Sequence, residues 1–309
     1  MPPILLHHYP QSPVSEKVRV ALGIKGLAWG SVIVPRIPPK PDLMPLTGGY
    51  RRAPVLQIGA DIYCDSQCIL RALERRFPEP SFFPGGDHGL AWGLSRWSDG
   101  ELMNLAVRLV LGSGAAELPP DFARDRARLY FGPDVQATDL GPELPHITGQ
   151  IRAAMGWLED ALGGNQGYLT GDQPGLADAL AYYLVWFLRG RWAEGPDFLA
   201  QFPRLVQWEK KVAAIGHGEV SEVSSQEALG IARGSDPETG QQADPLDPQG
   251  LEPGMRISVL PDVDGGDPAV MGQLQALDRD SLCLIRDEPA VGRVAIHFPR
   301  AGYRVSLLD

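Results

Sequence analysis

The sequence predicts a compact α/β domain, an all-helical domain, and a small all-β, barrel-like domain at the C-terminus. Three observations predict it. Over the first 80 or so residues strand-like and helix-like segments follow the order βαβ, loop, ββα. From residue 89 apolar residues recur near every 3.6 positions with no strand pattern between them. Beyond residue 254 the period falls to two, with turn residues at close intervals.

Residues 4–8 (Ile-Leu-Leu-His-His) read as a short buried strand. Ser12-Pro13 then opens a helix running to about Lys25, with Val14, Val18, Ala21 and Leu22 at helical spacing and Gly26 as its stop. Residues 29–34 are the second strand, and a β-α-β opening of this length implies parallel pairing. Residues 35–52 are rich in Pro and Gly and predict irregular chain with at most one helical turn. Residues 54–58 and 62–64 form a hairpin around Gly59-Ala60-Asp61. A helix over 66–77 carries Ile69, Leu70, Leu73 and Phe77 on one stripe, and Pro78, Pro80 and Pro84 end the unit.

Helix-length segments follow at 89–111, 143–162, 176–189 and 203–214. Residues 216–253 read as linker with one helix at 225–232. Strands are expected at 255–260, 270–277, 281–285, 291–298 and 303–308, a small barrel or meander. The expected boundaries are 1–84, 89–232, a linker at 233–250, and 251–309.

Composition narrows the function. With 38 acidic against 28 basic side chains the net charge is -10, which argues against a phosphate-tracking nucleic-acid partner. Three cysteines make no disulfide framework and suit a reducing, cytoplasmic compartment. The N-terminus lacks the basic and apolar regions of a signal peptide. The longest apolar run, 179–188, is too short to span a bilayer, so no membrane is expected.

Three places carry chemistry. Ser12-Pro13 lies between a strand end and a helix N-terminus, where free N–H groups favour an anion and depress the pKa of a bound thiol. Two roles stand open for Ser12, a helix cap or a hydroxyl that donates to a thiolate. Tyr9 and Ser15 are alternative hydroxyls near the same helix start. Ala53-Pro54 leads a strand, the position proline tolerates, and a cis bond there would free the backbone of Ala53 to pair with an extended peptide. Asp65-Ser66 is either another cap or a site for a ligand's ammonium and carboxylate.

Other candidates are weaker. Cys64 and Cys68 are not spaced as a redox pair and suit packing. His7 and His8 point to opposite faces of a strand and do not chelate together, so no metal is expected.

Together these segments resemble the glutathione transferase family. Tyr9 to Leu22 (YPQSPVSEKVRVAL) looks like its first helix region, Ala53-Pro54-Val55-Leu56 its cis-proline motif, and Asp65-Ser66 its acidic-Ser motif. Gly171 to Asp178 (GDQPGLAD) is similar to its buried-helix capping motif, with Gly175 where a hydroxyl is usual. The resemblance covers about residues 4–215. It implies a thioredoxin-like domain, a helical domain, a homodimer, and glutathione as co-substrate with a small hydrophobic electrophile. By the same resemblance Ser12 activates the thiol, Ala53 and Pro54 meet the cysteinyl part, and Asp65 and Ser66 hold the γ-glutamyl part. Arg51 or Arg52 is the candidate for the glycyl carboxylate. A non-catalytic scaffold that keeps the fold is the alternative.

Overall fold

The computed structural model describes residues 2–164, 167–263 and 265–308. Asp264, in the Asp-Gly-Gly run that separates two of the expected C-terminal strands, lies outside the described residues. The chain divides into two compact units: Met1–Ser15 with Ala28–Leu73 and Glu219–Asp309, and Glu16–Leu27 with Glu74–Gly218.

The first unit is built on one sheet. Strands β1 (Ile4–His8), β2 (Ala28–Ile33), β3 (Val55–Ile58) and β4 (Asp61–Cys64) fall where the apolar pattern places them. A short helix, α2 (Met44–Thr47), is the single turn expected in the irregular segment, and α3 (Ser66–Arg76) follows β4. Helix α1 (Pro13–Ile24) begins in this unit after β1. The C-terminal region supplies β5 (Glu219–Glu222), β6 (Arg256–Pro261), β7 (Val270–Leu277), β8 (Ser281–Glu288), β9 (Gly292–Pro299) and β10 (Tyr303–Leu307). Ser225–Arg233 is the helix expected in the linker. Its capping box joins Ser224 and Glu227.

The sheet order is β10-β6-β7-β8-β9-β4-β3-β1-β2-β5. The five C-terminal strands are present as expected, an extra β region that continues into the N-terminal sheet. The join is the parallel pair β4–β9, with Tyr63 opposite His297. Residues 219–222, which read as linker, add the far edge by pairing with β2. Both halves feed one core: Tyr50, Val55, Ile62 and Cys64 are buried with Ile257, Leu284, Ile296 and Phe298. Each such side chain contributes about 1.5–3 kcal/mol on leaving water. Gly48 marks the closeness of this packing. A Cβ there would meet Val270 and Arg286 at 2.9 Å, and its φ of +64° favours glycine besides.

Polar groups pin the join. The buried Asp61 carboxylate accepts from His297 Nε2 at 2.8 Å, Thr239 Oγ1 at 2.6 Å and the Glu238 N–H at 2.7 Å. Burial works against its charge, yet the bonds from His297 and Thr239 prevail and hold the pKa below the ordinary value. The His297 ring stacks on Tyr63 at 4.3 Å.

The second unit is helical. Its members are α4 (His88–Trp97), α5 (Met103–Ser113), α6 (Pro120–Phe131), α7 (Leu144–Ala161), α8 (Leu176–Arg191), α9 (Gly195–Leu199) and α10 (Pro203–Ile215). The helix expected over 89–111 is α4 and α5 joined by a π-helical turn, Ser98–Leu102. That turn carries Asp99, which accepts from the fully buried Lys17 at 2.5 Å and from Tyr183 at 2.9 Å. Helix α6 was not expected. Its sequence, PDFARDRARLYF, has five charges among its twelve residues, and only Ala127 and Leu129 are buried. Helix α8 is buried along most of its length, as its apolar run implies. Asp178 caps it, accepting from the Gly175 and Leu169 N–H groups at 2.9 Å and from Trp208 Nε1 at 2.7 Å. The indole supplies support that the missing hydroxyl at Gly175 does not. Among the described residues no helix is long and apolar enough to cross a membrane.

Candidate functional site

The first unit brings the expected site residues to one end of its sheet by register. His7 pairs with Val55, and Val55 pairs with Cys64. The C-terminal end of β1, the N-terminal end of β3 and the C-terminal end of β4 therefore lie side by side. The segments that follow or precede them are Tyr9–Ser12, Ala53-Pro54 and Asp65-Ser66. Two interstrand spacings of about 4.8 Å span roughly 10 Å, the length of an extended tripeptide.

At β1 the chain enters α1. The Ser12 N–H donates to the Tyr9 carbonyl at 3.1 Å, a turn that sets the helix start. Ser12 is buried, and its Oγ accepts the Ser15 N–H at 3.1 Å, so the hydroxyl does cap the helix. A capping oxygen still has its own proton to donate. Capping and thiol activation are therefore compatible at one atom. The buried Ser15 Oγ has no hydrogen-bond partner among the described residues. Tyr9 packs on the shared core, with Lys40 Nζ 5.9 Å from its ring centroid.

At β3 the Ala53-Pro54 bond is cis. Ala53 is partly buried against the shared core. At β4 Asp65 adopts φ +74°, a left-handed conformation that Asp tolerates better than most residues. Its Oδ1 accepts the Gln67 N–H at 2.8 Å and caps α3. Its Oδ2 accepts the phenol of Tyr303 at 3.1 Å. The Tyr303 and Tyr50 oxygens are 3.2 Å apart. Burial, followed by Asp65, raises both phenols well above their ordinary pKa, so both keep their protons. Burial likewise raises the Cys64 thiol, with Cys68 and Asp65 adding to it, and leaves Cys64 inert as a nucleophile.

Arg52 does not stand open. Its Nε lies 3.2 Å from both oxygens of Asp267, and its Nη2 lies 2.5 Å from Oδ2. Arg51 Nε lies 3.4 Å from the same carboxylate. Burial opposes the charge on Arg52, but Asp267 and Tyr50 override it and raise the pKa. The Asp267 side chain is only 2% exposed.

The two histidines take separate partners, as strand alternation implies. His7 Nε2 lies 2.8 Å from Gln57 Oε1, and His8 Nε2 lies 2.9 Å from Ser31 Oγ. Burial lowers His7 to a pKa of about 4 despite the Gln57 bond.

Family models match two parts of the chain. The N-terminal domain of glutathione S-transferases matches residues 6–81, and the C-terminal domain matches residues 123–211. A GST-like protein from Pseudomonas syringae is similar to the whole chain, at 35% identity and TM-score 0.82, covering 100% of both.

The chain belongs to the glutathione S-transferase family.

A zeta-class glutathione S-transferase from Euphorbia esula is 29% identical over 182 residues, 57% of this chain and 72% of that protein. Glutathione transferase GSTFuA3 from Phanerochaete chrysosporium shares the fold at TM-score 0.55 and 20% identity, over 69% of this chain and 97% of its own. The Pseudomonas protein thus shares a length of chain that the fungal transferase lacks.

Sequence reasoning missed Tyr50, Tyr303 and Asp267. Tyr303 arrives because β9 runs parallel to β4, so the β9–β10 turn lies at the site end of the sheet. No local spacing announces a side-chain partner 238 residues away.

Proposed function

We propose that this chain is a glutathione-dependent transferase in which Ser12 stabilises the co-substrate's thiolate for attack on a small hydrophobic electrophile. The observation that carries the reading is the register His7–Val55–Cys64. It sets a hydroxyl at a helix start, a proline-led strand and an acidic helix cap about a tripeptide's length apart. The co-substrate supplies the nucleophile, and the residues bind and orient it. Ser12 donates its remaining proton to the sulfur and favours the charged form. The backbone of Ala53, before Pro54, pairs with the cysteinyl part. Asp65 accepts the α-ammonium, and Ser66 with the α3 N-terminus receives the α-carboxylate. The electrophile's pocket, a homodimer and a cytoplasmic location complete the proposal, as does the boundary set 1–84, 89–232 and 251–309.

A second reading is a glutathione-binding or scaffold protein without turnover. The engagement of Arg52 by Asp267 favours it, because that guanidinium is already paired. Turnover with a panel of electrophiles separates the two. The transferase reading expects turnover in wild type and a loss on the order of ten- to hundredfold in Ser12→Ala, the worth of one charge-assisted hydrogen bond. Glutathione binding without any turnover would leave the scaffold.

A further inference from the structure

Asp267 lies on the segment between β6 and β7, in the part of the chain that extends the ordinary two-domain length. It meets Arg52 side-on, through Nε and Nη2, the fork by which a guanidinium binds a carboxylate. Arg51 turns to the same place, with Nε 3.4 Å from Asp267 and Nη2 3.5 Å from the Gly265 carbonyl. One carboxylate of the chain therefore sits where a ligand's carboxylate would sit on Arg52. A glycyl carboxylate that reached this fork would have to displace a side chain only 2% exposed. Stripping a buried charge of its partner is costly, so the exchange is disfavoured. The segment that holds Asp267 is anchored on both sides. β6 and β7 pair with each other, and Val270 packs against Gly48, just ahead of the arginines.

We propose that Asp267 is a specificity-determining residue that makes the site indifferent to the glycyl carboxylate, so that it accepts γ-glutamyl thiols whose far end is uncharged as readily as glutathione. The inference rests on the reading of Ser12, Ala53 and Asp65 as a γ-glutamyl thiol site. It concerns only the end opposite Asp65. Amides and esters of the glycine carboxyl group, and γ-glutamyl thiols that end in a neutral group, are the ligand class it admits.

Calorimetric titration of the full chain with glutathione, and with glutathione amidated at its glycine carboxyl, tests this directly. Wild type is expected to bind the two within threefold of each other. Asp267→Asn frees the fork of Arg52 without changing the side chain's size, and is expected to prefer glutathione over the amide by tenfold or more. Asp267→Glu keeps a carboxylate and is expected to stay near the wild-type ratio. A wild-type preference for glutathione of tenfold or more would overturn the proposal while leaving the thiol site intact. An unchanged ratio in a folded Asp267→Asn would overturn it as well. If neither compound binds at millimolar concentration, the thiol-site reading falls, and this inference falls with it.

Discussion

The two ends of the site are furnished in different ways. At the start of α1, Ser12 takes its bond from Ser15, three residues on, and the Ser15 hydroxyl takes none among the described residues. At the start of α3, Asp65 and the nearby Arg52 take partners from Tyr303 and Asp267, 238 and 215 residues away. The proposed thiol end is built locally, and its Ser12 hydroxyl keeps a proton to give. The anchor end is braced by strands that the ordinary two-domain length does not include.

The largest expected effect tests whether the C-terminal strands and the anchor end are one structure. Phe298 is buried in the shared core and packs edge-on against Tyr50 at 5.7 Å. Phe298→Ala should lower the unfolding free energy by about 3–5 kcal/mol in urea titration. It should also weaken glutathione binding while leaving the local turn at Ser12 intact. A cost under about 1 kcal/mol would mean that the two halves of the sheet are energetically separate.

The pH dependence sharpens the same contrast. His7, on β1, has a folded pKa of about 4, below the ordinary 6.5. The unfolded chain therefore takes up its proton first as pH falls. The contribution is fully present above about pH 6.5 and is lost by about pH 4, roughly 3 kcal/mol in all. Asp61, also depressed, adds a loss at still lower pH, below the carboxylate's ordinary value. Denaturant titrations across this range should show a slope that flattens in His7→Gln. Stability that stays level between pH 6.5 and 4 would contradict the burial of a neutral ring.

A smaller effect belongs to Tyr303. Its phenol braces Asp65, so Tyr303→Phe removes one bond to a charged group and leaves the ring packing in place. The expected change is a rise of about tenfold in KM for glutathione, with kcat within twofold. A fall in kcat at constant KM would place Tyr303 in the chemistry and not in the anchoring of Asp65.

What the sequence made legible follows the same division. Strands β1 to β4, α1 and α3 were readable because each is announced by local periodicity and by Pro, Gly or Ser at its ends. That Ser12, Ala53-Pro54 and Asp65-Ser66 fall at strand ends and helix starts was readable from the same local signals. Among the C-terminal strands, existence was legible from alternation, but pairing was not. Nothing in residues 292–299 states that they will lie beside residues 61–64. Helix α6 escaped because its exposed faces carry charge where periodicity needs apolar residues. Residues 219–222, Glu-Val-Ser-Glu, lie exposed on the sheet edge and so lack the buried alternation that marks a strand.

Ionisation of the bound thiol is the most direct measure of the role proposed for Ser12. Ultraviolet absorbance of the thiolate, followed against pH with glutathione saturating the wild type and Ser12→Ala, measures it. The structure predicts a bound-thiol pKa at least one unit below that of free glutathione in the wild type, and a return toward the free value in Ser12→Ala. A bound thiol that titrates as it does in solution, in the wild type, would contradict the assignment of Ser12.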